Sequence, residues 1–218
     1  MPRLRLLIAA VITASAQEAN FVAAQLGVST LSADGRTVIS AGSTAVSLYK
    51  PENSFTGQVL AGRHLTEYLS FQGSYGWNSN DLRLTSVQVA GGIEHSYEQT
   101  RTARHHSGVA ELMVNFRARA SSIRPYLSAG IGVAHFHSAE EPTLTSTGAP
   151  ALPPREFRST DPCYRVGVGI DLRLMPRLVF RYTFSETLQR NPVSRRLAPS
   201  GQRNLANFQN LFGVVWGF

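Results

Sequence analysis

A two-residue alternation of apolar and polar side chains is the feature that most restricts the fold of this chain. In the segment Tyr164–Leu174 every second residue is large and mostly apolar, and the residues between them are glycine or charged. The same period continues in Leu178–Ser185, after a tight turn at Met175-Pro176. An amphipathic helix would place its apolar residues every three or four positions. The pattern therefore predicts two antiparallel β-strands joined as a hairpin.

The position of the turn sets the register of this hairpin. With the turn centred on Pro176, the numbers of facing residues sum to 352. Leu172 then faces Phe180, so apolar meets apolar on one face. Asp171 faces Arg181, so opposite charges meet on the other. Because both faces match in kind, the sequence supports this register.

The same reading along the chain predicts eight strands, at 21–31, 55–62, 68–77, 109–118, 123–135, 164–174, 178–185 and 205–218. Turns of about four residues alternate with long connections at 32–54, 78–107, 138–161 and 189–204. With an even number of antiparallel strands, all the short turns lie at one end of the sheet. We therefore predict an all-β fold, an eight-stranded antiparallel up-and-down transmembrane β-barrel with short periplasmic turns and long extracellular loops.

Alternation alone does not decide which strand face meets lipid, because soluble and membrane barrels share the same period. The face opposite the apolar one carries mostly Gly, Ser, Thr, Gln and a few charges, which suit the narrow interior of eight strands. A soluble barrel would carry more lysine and glutamate there, and Lys50 is the chain's single lysine. We therefore expect the apolar face to meet acyl chains. A soluble barrel with an apolar core is the alternative.

The N-terminal segment has the organisation of a secretory signal peptide. Arg3 and Arg5 precede an apolar run at 6–12, and Ala14-Ser15-Ala16 follows as a cleavage pattern. That run is far shorter than the roughly 18 apolar residues of a spanning helix. We predict a signal peptide at 1–16 and a mature barrel at 17–218. Removing its two arginines changes the formal charge from +7 to 19 − 14 = +5.

The remaining positive charge does not indicate nucleic-acid binding. The arginines are dispersed along strands and loops, and no helix-turn-helix, RNP-type aromatic pattern or basic block collects them. Cys163 is the single cysteine, so no intramolecular disulfide can form. Burial and barrel closure must therefore supply the stability, and no cofactor is expected.

The last predicted strand keeps its alternation to the end, in Trp216-Gly217-Phe218. With this ending, the signal peptide and the rhythm of strands and loops, the chain resembles the OmpA/OmpX-type, or opacity-type, eight-stranded outer-membrane β-barrel domain family. The resemblance covers residues 17–218 and implies a location in the bacterial outer membrane. It also implies that Trp216 and Phe218 form the assembly signal read by the barrel-assembly machinery.

Charges on the inward face predict ion pairs in the lumen. Asp171 and Arg181 are expected cross-strand neighbours. Glu111 is expected opposite Gly130, which leaves room for its side chain to cross the lumen, and Arg165 lies at a similar height. Buried charges persist when they are paired, so we predict an ion-paired, plugged lumen. A gated pore is the alternative.

Three histidines near the outer rim suggest a metal site. Extending the ladder in which Arg117 faces Arg124 gives a sum of 241, which places His106 against His135. His137 follows two residues later on the same face as His135. Three imidazoles at one rim predict Zn²⁺ or Cu²⁺ binding by His106, His135 and His137. The alternative is that they are polar rim residues near lipid headgroups.

The long connections are rich in arginine, whose planar guanidinium matches phosphate in a bidentate manner. These residues are Arg101, Arg104, Arg155, Arg158, Arg190, Arg195, Arg196 and Arg203. The sequence thus predicts a non-enzymatic outer-membrane barrel with a structural and surface-interaction role. Its expected partners are outer-membrane lipid and lipopolysaccharide, and it is expected to be a monomer.

Two other functions remain as alternatives. The first is a small-solute channel of the porin-like type. The second is a lipid A-modifying enzyme, because some eight-stranded barrels use a Ser/His/acid arrangement for that chemistry. His137-Ser138 with Glu140 superficially suggests one, but the His-x-Ser order of those enzymes is not present.

Overall fold

The computed structural model describes residues 19–139 and 144–218, so the predicted signal peptide at 1–16 lies outside the described residues. No helix within these described residues is long and apolar enough to cross a membrane. The elements in chain order are β1 (Asn20–Leu31), β2 (Asp34–Ser40), β3 (Ser43–Pro51), β4 (Ser54–His64), β5 (Leu69–Ala90), β6 (Ile93–Asn115), β7 (Ile123–Ala139), β8 (Leu144–Thr147), β9 (Glu156–Arg173), β10 (Leu178–Gln189), a short 3-10 helix (Ser194–Arg196) and β11 (Leu205–Gly217).

Eight of these strands form a closed ring. Its order is β1, β4, β5, β6, β7, β9, β10 and β11, and β11 pairs with β1 to complete it. Every pairing in the ring is antiparallel. The predicted eight-stranded antiparallel barrel is therefore confirmed. Closure leaves no strand edge unpaired in lipid, where backbone groups have no water to bond.

Both predicted registers are confirmed. In the β9–β10 pair, Asp171 faces Arg181. In the β6–β7 pair, His106 faces His135 and Glu111 faces Gly130. The period of two explains this success, because a slip of one residue would turn every side chain of a strand to the opposite face.

The strands extend further than the sequence pattern predicts. β5 and β6 pair without interruption from their lower ends up to Ala90 opposite Ile93, through the segment 78–107 that the pattern assigns to a loop. Gly91 and Gly92 form the turn, with positive φ angles of 58° and 79° that suit a tight hairpin. Likewise 32–54 contains the β2–β3 hairpin, and 138–161 contains β8 and the start of β9. The segment 189–204 contains no strand beyond the end of β10.

The length of β5 shows that much of this hairpin stands outside the membrane. Its 22 residues span roughly 70 Å at about 3.3 Å per residue. A tilted transmembrane strand needs only about 10 residues. The upper part of β5 and β6 therefore projects beyond the lipid on the extracellular side, together with the β2–β3 hairpin that pairs with β5.

In the lower part of the barrel most of the large apolar side chains point outward and most of the polar ones inward, although Phe21, Leu60 and Val215 belong to a small inward apolar cluster. Leu127 on β7 is 49% exposed, whereas Asp171 and Arg181 are 6% and 2% exposed. On β9, Val166 and Val168 are 53% and 47% exposed, whereas Arg165 and Cys163 on the inward face are buried. The expectation that apolar side chains face the acyl chains is therefore confirmed.

Beyond Trp77 the outward face of β5 becomes polar, and beyond Asn80 its inward face carries apolar residues. The outward residues become polar, as at Ser79 and Arg83, and the inward residues become apolar, as at Leu82 and Leu84. We call the inward apolar cluster of this upper part the extracellular core; its buried members are Leu31, Tyr49, Leu82, Leu84, Tyr97, Ala103, Phe136, Phe157, Val193, Leu197 and Leu205.

Candidate functional site: the barrel lumen and its extracellular closure

The lower lumen is organised around the Asp171–Arg181 ion pair. The Arg181 guanidinium donates from Nε to Asp171 Oδ1 at 2.7 Å and from Nη2 to Oδ2 at 2.8 Å, a bidentate pair. Its Nη1 donates to Gln72 Oε1 at 3.2 Å. The guanidinium also lies over the rings of Tyr126 and Phe21, 5.1 Å and 5.6 Å from their centroids. A charged pair in so narrow a lumen is stable because its donors and acceptors are occupied.

Glu111 and Arg165 lie one layer higher and are connected through a serine. Glu111 Oε2 accepts from Gln72 Nε2 at 3.0 Å and from Ser74 Oγ at 3.3 Å. Arg165 donates to the same Ser74 oxygen at 3.0 Å. A Cβ at Gly130 would stand 2.6 Å from Cγ of Glu111, so only glycine leaves space for this carboxylate. The four charged residues thus join one network through Gln72 and Ser74.

Arg165 is also fixed on its other side. Its Nε donates to Thr187 Oγ1 and its Nη2 donates to Ser107 Oγ, both at 2.8 Å. Its side chain is 2% exposed and reaches from β9 towards β5 and β6 across the lumen. The guanidinium is therefore held between groups on β10 and groups on β5 and β6.

A layer of amides and one imidazole lies above the charges. His105 contacts Asn78 Oδ1 at 3.2 Å and Gln189 Oε1 at 3.1 Å. Asn207 donates to Asn78 at 3.1 Å and accepts from Ser29 Oγ at 2.7 Å. Sequence reasoning missed this layer, although the odd-numbered positions of β6 from Tyr97 to Asn115 all face inward and would have marked His105.

The extracellular core lies above this layer, on the extracellular side of the barrel. The β10–β11 connection folds back into the barrel mouth and buries Val193 and Leu197. Ser86 Oγ donates to the Ala198 carbonyl at 3.1 Å, and Ser47 Oγ donates to the Pro199 carbonyl. Burial raises the pKa of the Tyr49 phenol above its usual value, as expected where water is excluded.

The three rim histidines do not form the predicted metal site. Among residues 19–139 and 144–218, no group of three or more His, Cys, Asp or Glu side chains could hold a metal ion. His106 Nδ1 contacts the Tyr75 hydroxyl at 2.7 Å, and His135 Nδ1 contacts Thr160 Oγ1 at 2.8 Å. His137 Nε2 lies 3.2 Å from Glu156. Each imidazole contacts a different side chain on the outer face. The register was predicted correctly, but it does not bring the three imidazoles around one common point.

The candidate catalytic pair is separated by the strand itself. His137 faces outward, whereas Ser138 is fully buried and faces inward. Neighbouring residues of a strand point to opposite faces, so these two groups do not meet. Glu140 lies outside the described residues.

The arginines assigned to the long connections divide into two groups. Arg101 faces inward on β6, is fully buried and stacks over Phe157 at 4.9 Å, so its assignment to an exposed loop is wrong. Arg101 is buried because it lies on the inward face of β6 and stacks on Phe157, a member of the extracellular core. The other members of the set are exposed: Arg104, Arg155, Arg158, Arg190, Arg195, Arg196 and Arg203.

The last strand is held at both edges. Trp216 faces Val22 on β1 and Leu178 on β10, and its side chain is exposed on the outer face. The Phe218 amide donates to the Asn20 carbonyl at 2.9 Å, and the Asn20 amide donates back at 3.2 Å. Trp216 and Phe218 are thus outward-facing residues at the periplasmic end.

Several solved structures are similar to this chain. Neisserial surface protein A (NspA) has 12% identity and a TM-score of 0.52, over 91% of this chain and 97% of its own. The outer membrane protein OprG from Pseudomonas aeruginosa has 10% identity and a TM-score of 0.48, over 93% and 97%. The outer membrane protease OmpT from Escherichia coli has 7% identity and a TM-score of 0.46, over 93% and 98%. At such identities the likeness concerns the fold alone.

No curated protein matches the sequence. The family described as the outer membrane protein beta-barrel domain matches residues 4–218, nearly the whole chain. Its defining barrel is the closed ring described above, with an apolar band outside and a polar lumen inside. The chain therefore belongs to the outer membrane protein beta-barrel domain family, and it is a protein of the bacterial outer membrane.

Proposed function

We propose that this protein is a non-enzymatic, non-conducting barrel that contacts lipopolysaccharide on its outer face, just above the membrane. The observation that carries the closed state is the extracellular core, which covers the lumen with buried apolar side chains. Below it, Arg165 and Arg181 extend into the lumen and are fixed by hydrogen bonds. An ion would have to displace both obstacles, and the charged groups would lose their partners.

The contact with lipopolysaccharide is supported by a row of basic residues on adjacent strands. Arg104 on β6 pairs with His137 on β7, which pairs with Arg158 on β9. All three face outward, two residues above the level of Trp77 and His106. Aromatic rings with polar tips favour the headgroup level. Each member of the row therefore lies about 7 Å farther along its tilted strand than that level, at a height that suits the phosphates of a surface glycolipid.

Conductance measurements in planar bilayers test the closed state. We expect the refolded wild-type barrel to give no single-channel steps. Reproducible steps from the wild type would instead support the porin-like channel. A variant lacking 192–203, which contribute Val193 and Leu197 to the extracellular core, shows whether closure depends on this connection.

Vesicle binding tests the basic row. We expect R104Q/R158Q to bind lipopolysaccharide-containing vesicles several-fold more weakly than the wild type, because it loses two guanidinium groups at that height. R195Q/R203Q removes the same charge from exposed positions of the β10–β11 connection and serves as the matched control. Equal losses in both variants, or salt-insensitive binding, would contradict the assignment to this row.

We also propose that Trp216 and Phe218 act as the assembly signal. Both side chains lie on the outer face at the periplasmic end, where a partner can reach them before the barrel is in lipid. We expect F218A to lower the amount of protein inserted in the outer membrane of cells while leaving refolding in detergent unchanged. A parallel loss in detergent would indicate a stability effect instead.

A further inference from the structure

The hairpins that project from the membrane form a sheet with one covered edge and one open edge. The strand order of this projecting sheet is β2, β3, β5, β6 and β8. At one edge the four-residue strand β8 pairs with β6 at 96–99. At the other edge β2 pairs with β3, and none of the described strands pairs with the second side of β2. The strand β2 is therefore an open sheet edge outside the membrane.

The hairpin turn determines which backbone groups of β2 lie along the open edge. Ser40 and Ser43 flank a turn of two residues, so they form a hydrogen-bonded pair. In an antiparallel ladder such pairs alternate with pairs that share no hydrogen bond. The odd-numbered residues of β2 therefore direct their N–H and C=O groups away from β3; they are Gly35, Thr37 and Ile39. In the described part of the chain, no backbone group of a turn or loop bonds to these three residues.

The side chains of this edge are exposed and partly apolar. Ile39 is 77% exposed, and Val38 on the opposite face is 38% exposed. Open edges in natural sheets are usually protected by Lys, Pro, a bulge or a covering segment, which prevents other chains from pairing with them. From Thr37 to Ser40 the strand contains neither Lys nor Pro, and every residue is exposed. This edge therefore lacks the usual protection against strand addition.

The end of the sheet around this edge carries no charge. The two hairpin tips contain no Asp, Glu, Lys or Arg at 37–46 and 84–93. Three valines lie on the same face of the sheet as Ile39; they are Val46, Val87 and Val89. A ligand at this edge gains little from charge, so backbone hydrogen bonds and apolar contacts must supply its affinity.

We propose that β2 binds an extended, uncharged peptide segment of a protein outside the cell, which adds to the sheet as a further strand. The segment bonds to the free backbone groups of β2, and its β-branched side chains continue the apolar rows beside Ile39 and Val38. The strand β8 extends the opposite edge in the same way with four residues. In one membrane the β2 strands of two copies point in the same direction, so they can pair only in parallel, the less stable arrangement. A free segment can pair in the antiparallel direction.

Amide hydrogen exchange of the mature barrel tests this site with a defined probe. The barrel is folded in detergent micelles and titrated with a synthetic peptide of residues 43–50, STAVSLYK, most of which already pairs with β2 on its other side. Exchange is followed for each residue by NMR. The test variant is I39K, which places a charge on the open edge. The matched control is I93K, because Ile93 is also an exposed isoleucine, at 62%, but lies on β6.

We expect saturable protection of the Thr37 and Ile39 amides, whereas the Val38 amide, which already bonds to β3, keeps its exchange rate. Binding of the peptide should be at least about tenfold weaker in I39K, unchanged in I93K and insensitive to added salt. Absence of protection at this edge, or equal losses of binding in the two variants, overturns the proposal. Heat-modifiable mobility on SDS gels establishes that both variants are folded.

Vesicles that carry the barrel, without peptide, test a second copy as the occupant. If these vesicles aggregate and I39K abolishes the aggregation, β2 pairs with β2 of an opposing membrane, and the proposal of a peptide partner is overturned. We expect no aggregation that depends on Ile39. The lipopolysaccharide contact is tested separately through Arg104 and Arg158, so either proposal can fail without the other.

Discussion

The lower and upper parts of β5 and β6 differ in the side chains that they turn inward. In the membrane, Ser74 and Glu111 point into the lumen, and Leu112 points out. Above the membrane, Leu82 and Leu84 point inward, and outward positions such as Arg83 and Glu98 are polar. The period of two is the same throughout. The surrounding medium, lipid below and water above, therefore decides which face of a continuous strand is apolar.

The two parts are consequently stabilised by different forces. The extracellular core excludes apolar surface from water, so the hydrophobic effect operates there as in a soluble protein. In the lower part most apolar side chains meet acyl chains, which are as apolar as leucine, so contact with lipid supplies little driving force between strands. The inward apolar cluster there, around Phe21, Leu60 and Val215, is small. Hydrogen bonds and ion pairs inside the lumen must contribute more there.

Removing one partner of the buried ion pair gives the largest expected effect. In D171L the Arg181 guanidinium stays in the lumen without its carboxylate, because its other contacts are to neutral groups. We expect the free energy of unfolding to fall by about 3–5 kcal/mol. Urea unfolding of the barrel in vesicles, followed by tryptophan fluorescence, measures this change.

The double variant D171L/R181M separates charge from packing. Replacing both charges by apolar groups of similar size is often nearly neutral, so we expect most of the lost stability to return. If the double variant were as unstable as D171L, the unpaired charge would not be the cause. The lower part of the barrel would then depend on shape rather than on its ion pair.

The inward or outward position of residues in the membrane-spanning strands could be predicted from the sequence, whereas that of residues above the membrane could not. The contact between Asp171 and Arg181 follows from alternation and one turn, because neither depends on what surrounds the strand. Leu82 and Arg101 could not be placed in the same way. In the upper part of β5 and β6 the inward positions carry apolar residues, or an arginine stacked on a ring. In the membrane-spanning part the inward positions are mostly polar, so the pattern found there does not extend upward. The rim histidines show a further limit, since register fixes neighbours but not which hydroxyl each imidazole contacts.

Truncation in the extracellular core is the second test of the comparison. Leu84 is fully buried among other apolar side chains, so L84A leaves a cavity that costs about 2–5 kcal/mol. L112A removes the same atoms from the lipid-facing surface, where acyl chains can fill the space. We expect L84A alone to make the upper hairpins sensitive to protease while the lower barrel stays heat-modifiable. Similar sensitivity of L112A would show that the two parts unfold together.

An inserted charge discriminates between the two media at nearly equal exposure. Leu127 in the lower part is 49% exposed and Leu48 in the upper part is 42% exposed. We expect L127R to lose about 2–4 kcal/mol, because the arginine enters the apolar band. L48R places the same group in water and should change stability by no more than about 0.5 kcal/mol. Urea unfolding of both variants in vesicles gives the two values, and equal values would mean that the upper hairpins also lie in lipid.

The smallest expected effect comes from an ion pair of the same chemistry in the upper part. Arg83 Nε lies 3.4 Å from Glu98 Oε1 on the outer face, with side chains 54% and 57% exposed. Water solvates both groups, so E98Q should cost only about 0–1 kcal/mol, and added salt should reduce even that. Hydrogen exchange of the β5–β6 backbone amides at low and high salt measures this local change in stability. Both pairs consist of a carboxylate and a guanidinium, and they differ in their exposure to water. A loss of stability in E98Q as large as that in D171L would therefore mean that exposure to water does not determine how much each pair contributes.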